Sequence, residues 1–384
     1  MLATTPISMD LLRGARELEP TAHGLQPHRL PGWARAQCAD PQLAMAESQP
    51  AGCRLVFRTR STVIELEALR TRPAYRGMPM RPDGIYDLLI DGQLTAQASL
   101  TGGNVLMKDA ATGTEELLPG APDTLRFADL PDRQKTVEIW LPHNEATELI
   151  ALRSDHPLEA CPITRPVWLH HGSSISHGSN ALHPTGTWPA VAAAGADVEL
   201  INLGMGGAAL LDPFTARTMR DIPADLISIK IGINVVNADL MRLRAFGPAV
   251  HGFLDTLRDG HPATPIVVVS ALYCPIHEDT PGPLAPDFSS GTMTFVATGD
   301  PAETRAGKLT LRVIRHELAA IVDQRSTSDP NLHYLDGLTL YGPDDFAEFP
   351  LADNLHPGPQ VHQRVGRRFA DSIRLISTSA SGPA

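Results

Sequence analysis

Residues 167–178 read VWLHHGSSISHG, a short apolar run that ends in a Gly-Ser-Ser turn and opens into a helix-like pattern. Two readings of this turn compete. Glycine and serine build ordinary turns, glycine by its backbone freedom and serine by bonding its own backbone. Alternatively the turn presents a nucleophile, with His170, His171 and His177 crowded around Ser173 and Ser174. Residues far along the chain decide between them.

Downstream the pattern alternates. VELINLG (198–204), LISIKIG (226–232), PIVVVSALY (265–273) and LHYLDGLTL (332–340) read as further strands. Helix-like segments lie between and after them: TWPAVAAAGA, FTARTMRDI, a longer one ending in GFLDTLRDG, LTLRVIRHELAAIVDQR and the terminal QVHQRVGRRFADSIRLI. Five strands alternating with helices predict a parallel sheet covered on both faces, a three-layer αβα unit. With the flavodoxin-like strand order 2-1-3-4-5, ligands bind beyond the carboxyl ends of the first three strands. Gly172-Ser173-Ser174, Gly204-Met205-Gly206-Gly207 and Gly232-Ile233-Asn234 follow those strands and converge on one spot.

Upstream the period changes. Residues 53–69, 84–100 and 135–152 carry short alternating runs typical of strands, and Asp91-Gly92 is a strong two-residue hairpin signal, with Thr112-Gly113 a weaker one. An antiparallel, jelly-roll-like β-sandwich is expected over residues 1–160, led in by about 45 irregular residues. The proline-bearing stretch 154–166 separates it from an α/β domain at 165–378.

The chain has 384 residues, 42% hydrophobic and 20% charged, as expected for a globular protein with a real core. A net charge of -11 argues against nucleic acid or an anionic membrane as partner, and the basic run at Arg364, Arg367 and Arg368 reads as a solvated helix face. No apolar run approaches the roughly 18 residues of a membrane span. The first 20 residues are charged by Asp10 and lack an apolar signal core, so a cytoplasmic location is expected. Cys38, Cys53, Cys161 and Cys274 lie far apart, which suggests free thiols. His170 and His171 are neighbours on a strand, point to opposite faces and make a poor metal pair.

Acyl transfer needs a nucleophile, a base, a group to orient the base, and oxyanion donors. Ser174 can project its hydroxyl from the start of a helix while offering its backbone N–H. Gly207 can offer a second N–H, and Asn234 an amide NH₂. In LADNLHPGPQ, His356 supplies a base with Asp353 three residues before it, and Pro357 and Pro359 stiffen the loop. No metal and no cofactor is required by this set.

Together and in this order, these blocks resemble those of the SGNH, or GDSL-type, serine hydrolases. Gly172-Ser173-Ser174 stands for Gly-Asp-Ser, Asn202 to Gly207 for the second block, Gly232-Ile233-Asn234 for the third, and Asp353 to His356 for the last. Ser173 and Val235 depart from the pattern, each replacing an aspartate. The resemblance spans about residues 165–378 and implies catalytic Ser174, His356 and Asp353, with an oxyanion hole from Ser174, Gly207 and Asn234. It implies a serine esterase acting on a small-molecule ester, and the N-terminal half resembles the β-rich domain of some carbohydrate deacetylases. A short-chain, acetyl ester of a sugar or other small alcohol is the expected substrate. The alternatives are a carbohydrate-binding protein on an inactive esterase scaffold, and a lipase or thioesterase for longer chains. A dinucleotide site at Gly204-x-Gly206-x-x-Ala209 is disfavoured, because it follows the second strand and no acidic residue ends the next. An α/β-hydrolase is disfavoured too, since Gly172-Ser173-Ser174-Ile175-Ser176 lacks the second glycine of G-x-S-x-G. The loop 274–304, with five prolines, is expected to overhang the site.

Overall fold

The computed structural model describes residues 2–109, 112–289 and 292–380. The chain divides into two compact units: residues 1–35, 44–164 and 182–185 form one, and 36–43, 165–181 and 186–384 form the other.

The first unit is built from two mainly antiparallel sheets. Strand Ile64–Tyr75 begins with strict alternation of buried and half-buried residues, so Ile64, Leu66 and Ala68 share one inner face. Leu55, Phe57, Val137 and Ile139 of the other sheet join the same core. Each fully buried Leu, Ile or Phe contributes roughly 1.5–3 kcal/mol by leaving water. Asp91 and Gly92, with φ of 48° and 78°, turn Tyr86–Ile90 into Gln93–Ala98, as the hairpin signal required. Gly113 (φ 70°) lies in the connection between the paired strands Asn104–Lys108 and Glu115–Leu118. One pairing is parallel, Thr71–Tyr75 with Asn104–Lys108.

The expected irregular lead-in is more ordered than its prolines suggest. Ala3–Thr5, Leu12–Arg13, Glu17–Pro20 and Leu25–His28 each pair into these sheets, too short to show a period in sequence. The segment Leu182–Thr185 is held by Asp87. That buried carboxylate accepts from His183 Nδ1 (2.8 Å), the Thr185 N–H (2.9 Å), Thr185 Oγ1 (2.6 Å) and Gln97 Nε2 (2.7 Å). Burial pushes its pKa up, but these hydrogen bonds outweigh it and hold the group below the ordinary carboxylate range.

The second unit contains a five-stranded parallel sheet in the order 2-1-3-4-5: Glu199–Gly204, Val167–Gly172, Leu226–Lys230, Ile266–Val269 and Leu332–Leu335. The third and fourth strands, Leu226–Lys230 and Ile266–Val269, are buried at every residue, in line with their mainly apolar runs, broken by Ser228 and Lys230. On one face Trp168 packs against Trp188 and Phe369, from helices Trp188–Ala196 and Pro359–Ala380. These helices approach closely: a Cβ on Gly366 would lie 2.6 Å from Val191 Cβ. On the other face His171 stacks on Phe253 of helix Leu243–Gly260. The fifth strand is shorter than its sequence suggested, because Asp336 caps a new turn of helix at Gly337–Leu340. No helix among the described residues is long and apolar enough to cross a membrane.

Candidate active site

The turns that end the first three parallel strands are wedged together. After Gly172, Ser173 takes an extended conformation and caps the one-turn helix Ser174–His177, its Oγ accepting the Ile175 N–H at 3.4 Å. Gly178, at φ 118°, ends that helix. A Cβ on Gly172 would lie 2.3 Å from Ser176 Oγ, and one on Gly204 would lie 2.5 Å from the His177 nitrogen. Gly172 thereby lets the Ser174–His177 turn fold back on its own strand, and Gly204 lets the second strand approach that turn. Asn202 reinforces it, donating from Nδ2 to the Ser176 carbonyl (2.9 Å) and accepting the Gly204 N–H (2.8 Å).

The second turn sits beside Ser174. The Met205 N–H donates to the Gly172 carbonyl at 2.7 Å, and a Cβ on Gly206 would lie 3.7 Å from Ser174 Cβ. Gly207 has φ of 73°, and a Cβ there would meet the Gln42 side chain at 3.0 Å. Gln42 Nε2 in turn donates to the Gly206 carbonyl at 2.7 Å. The third turn is tied to the second: buried Asn234 accepts the Ala209 N–H on Oδ1 at 3.2 Å. With that oxygen occupied, Nδ2 is the end of the amide left to donate elsewhere.

From the loop after the fifth strand, His356 Nε2 lies 3.0 Å from Ser174 Oγ, and His356 Nδ1 lies 2.7 Å from Asp353 Oδ2. Asp353 Oδ1 accepts two backbone N–H groups, from His356 (2.6 Å) and Leu355 (3.0 Å), so the carboxylate shapes its own loop. Burial pushes the Asp353 pKa up. The hydrogen bond and charge of His356 and the two backbone donors outweigh it and hold the group below its ordinary value. A carboxylate at Nδ1 fixes the proton there and leaves Nε2 free to accept from the serine hydroxyl.

The remaining histidines have separate partners. His170 is fully buried between Ser228 Oγ (2.7 Å) and Ser176 Oγ (2.8 Å), and burial pushes its pKa well below the ordinary imidazole value. His171 Nδ1 meets the Leu203 carbonyl on the opposite face. The two departures from the family pattern have local explanations: Ser173 caps the helix Ser174–His177, and Val235 is fully buried.

Three residues of this site escape a reading of blocks. Phe295 lies in the antiparallel pair Leu284–Asp287 and Thr294–Ala297, within the loop expected to overhang the site. Its N–H donates to the Asp353 carbonyl (3.0 Å), and its ring meets His356 edge-on at 5.9 Å. Residues 290 and 291 of that loop lie outside the described residues. His362, buried on the last helix, accepts the Trp188 N–H on Nδ1 and donates from Nε2 to the Ser179 carbonyl, tying both residues to that helix. Burial pushes its pKa down to about 4. Gln42 is the third, and its signal was only a polar residue in a short helix far upstream.

Residues 164–275 match the family described as GDSL-like Lipase/Acylhydrolase. No curated protein matches the chain. Among solved structures, the salicylyl-acyltransferase SsfX3 from a tetracycline biosynthetic pathway is 27% identical, with a TM-score of 0.77 over 97% of this chain and 94% of its own. A GDSL-like lipase from Bacteroides ovatus is 20% identical, with a TM-score of 0.67 over 98% of both chains. A family two carbohydrate esterase from Cellvibrio japonicus is 13% identical, with a TM-score of 0.57 over 98% of this chain and 99% of its own. The likeness to the last two is one of fold. The four blocks are gathered at the ends of a parallel sheet in 2-1-3-4-5 order, and residues 164–275 of that unit match the GDSL-like lipase/acylhydrolase family.

Proposed function

We propose that the protein is a serine ester hydrolase in which Ser174 is the nucleophile, His356 the general base and Asp353 the group that orients it. The observation that carries this reading is the unbroken hydrogen-bond chain Asp353–His356–Ser174. Ser174 Oγ attacks the ester carbonyl as its proton passes to His356 Nε2. The oxyanion is held by the N–H groups of Ser174 and Gly207 and by the Asn234 amide. As first residue of its helix, Ser174 has an N–H without an intrahelical acceptor. Collapse expels the alcohol, which takes the proton from His356. Water then attacks the acyl-enzyme by the same route and releases the acid. In this reading residues 165–378 form the catalytic domain and the β-rich residues 1–160 an accessory one.

For the substrate we favour a short acyl ester, acetyl first, of a sugar or other small alcohol, in line with the esterase architecture shared by the carbohydrate esterase above. A second reading is favoured by the 27% identity to an acyltransferase over nearly the whole chain. In it an acceptor alcohol replaces water in the second step, and Ser174, His356 and Asp353 keep their roles. The intact chain of three groups speaks against an inactive scaffold.

The test uses 4-nitrophenyl acetate and a fluorophosphonate probe. Ser174→Ala should abolish both turnover and labelling, since no other group forms the acyl-enzyme. Ser173→Ala should keep most activity while losing about 1 kcal/mol of stability with its helix cap. Labelling that survives in Ser174→Ala would place the nucleophile elsewhere. Adding acceptor alcohols and measuring the ester-to-acid product ratio separates transfer from hydrolysis.

A further inference from the structure

In the reaction above the Gly207 N–H must face the oxyanion, and something must aim it there. That N–H belongs to the peptide between Gly206 and Gly207. A trans peptide is planar, so its carbonyl and its N–H point in opposite directions. Whatever holds the Gly206 carbonyl therefore also aims the Gly207 N–H.

The turn does not fix this peptide by itself. Residues 205–208 form a reverse turn closed by the Ala208 N–H on the Met205 carbonyl at 3.1 Å. Gly207, third in the turn, has φ of 73°, which is the type II geometry. A type I turn keeps the same closing hydrogen bond, but its central peptide is turned over and its third residue has φ of about −90°. With glycine on both sides of that peptide, no Cβ hinders the flip. Only one of the two states can offer the Gly207 N–H to an acyl group on Ser174.

Gln42 holds one state against the other. Its Nε2 donates to the Gly206 carbonyl at 2.7 Å, and only that end of the amide can face a carbonyl. The same side chain lies against Gly207, where a Cβ would meet its Cγ and Nε2 at 3.0 Å. At the opposite edge of the peptide, the Gly207 N–H has no acceptor among the described residues. Ser174 is beside the turn, since a Cβ on Gly206 would lie 3.7 Å from Ser174 Cβ. One edge of the peptide is tied down and the other is left open for a ligand. Gln42 is itself set in place, in the first turn of helix Pro41–Ser48, where Asp40 Oδ1 accepts the Leu43 N–H at 2.7 Å. Nearby in the chain, Gln37 Oε1 accepts from Arg217 Nη2, and both residues belong to the second unit.

We propose, building on the serine esterase reading, that Gln42 is a positioning residue of the oxyanion hole: by holding the Gly206 carbonyl it keeps the Gly207 N–H turned toward the oxyanion. Gln42 acts through the peptide and touches no substrate. Its effect falls on the transition state, because the carbonyl oxygen gains its charge only as Ser174 attacks. Residues 36–43, far upstream of every block, thereby take part in the reaction without supplying a catalytic group.

The experiment measures 4-nitrophenyl acetate hydrolysis and the rate of fluorophosphonate labelling in three variants. Gln42→Met keeps the length and the neutrality and loses the donor. Its kcat should fall about 3- to 10-fold, the fold-change of one ordinary hydrogen bond, with KM unchanged. Gln42→Glu sets a carboxylate against the carbonyl, repelling that oxygen and attracting the N–H. The peptide should turn over, and kcat should fall about 10²-fold or more, as when an oxyanion donor is removed. Gln42→Lys restores a donor on a stem of similar reach and should bring kcat back to within about twofold of wild type. Labelling rates should follow kcat, and urea midpoints should stay at the wild-type value because Gln42 is exposed.

An unchanged kcat in Gln42→Met, a loss confined to KM, or a Gln42→Lys no faster than Gln42→Met overturns the proposal. If Gln42→Met does not fold, Gln42→Lys and Gln42→Glu decide between them, and equal kcat values overturn it. Turnover that is lost in Ser174→Ala but untouched in all three Gln42 variants sinks only this inference. Turnover that survives Ser174→Ala sinks the esterase reading beneath it.

Discussion

Replacing Asp353 by asparagine keeps the loop and reverses the imidazole. In the native site Oδ1 accepts the His356 and Leu355 N–H groups at 2.6 and 3.0 Å, while Oδ2 faces His356 Nδ1 at 2.7 Å. An asparagine must point its oxygen at the two backbone donors, which puts its NH₂ against Nδ1. That nitrogen must then accept, the ring proton moves to Nε2, and Nε2 faces Ser174 Oγ at 3.0 Å as a donor instead of a base. A triad held in the wrong tautomer loses about 10⁴-fold in kcat. The backbone bonds survive in neutral form, so stability should drop by only about 1–2 kcal/mol at pH 7. The sign with pH follows from the native carboxyl, which is held below its ordinary value. Its stabilisation is present above the unfolded pKa of about 4 and is lost as pH falls through the folded value, so the gap between variant and wild type closes in acid. The assay is steady-state hydrolysis of 4-nitrophenyl acetate, with urea unfolding of both proteins at neutral and acid pH. A kcat within tenfold of wild type, in a variant that melts normally, would refute the orienting role of Asp353.

Other perturbations probe the remaining parts. Asn234→Ala should lower kcat by about 10²–10³-fold with little change in KM, as expected for one oxyanion donor, and a change confined to KM would make it a substrate-binding residue. Phe295→Ala removes the ring edge on His356 and should lower kcat by roughly tenfold or less, in line with an aromatic contact of about 1 kcal/mol; an unchanged kcat would leave Phe295 a packing residue only. Asp212 has its pKa raised to about 6 by burial and by the nearby Asp40 charge. The folded protein therefore binds that proton more tightly than the unfolded chain, and stability falls as pH climbs from about 4 to 6. Asp212→Asn should then stabilise the protein at pH 7 by on the order of 1 kcal/mol after discounting for solvent screening, with no gain near pH 4 by urea unfolding.

The parallel sheet was legible because its strands are buried on both faces and read as apolar runs, punctuated by Gly172, Gly204 and Gly232. Each glycine sits where a Cβ would collide: with Ser176 at Gly172, with His177 at Gly204, with Ile314 at Gly232. Backbone geometry at those points demands glycine, so the sequence advertises them. The pairing of Ser174 with His356 was legible only as an ordered set of blocks, since no local pattern relates residues 182 positions apart. The first unit was legible in its long strands and hairpin turns. Its four short leading strands, of two to four residues, are too brief for alternation to register.

What stayed hidden is what reaches the site from elsewhere in the chain. Phe295 meets His356 and Asp353, Gln42 meets Gly206, and neither sits in a recognisable block. His362 is six residues beyond His356 on an amphipathic helix, where a histidine is unremarkable until Ser179 and Trp188 are seen to meet it. Lys230 differs from these. It interrupts an apolar run in a strand paired on both sides, at a position where burial follows from the topology alone. A charge in such a place costs stability unless something pairs with it.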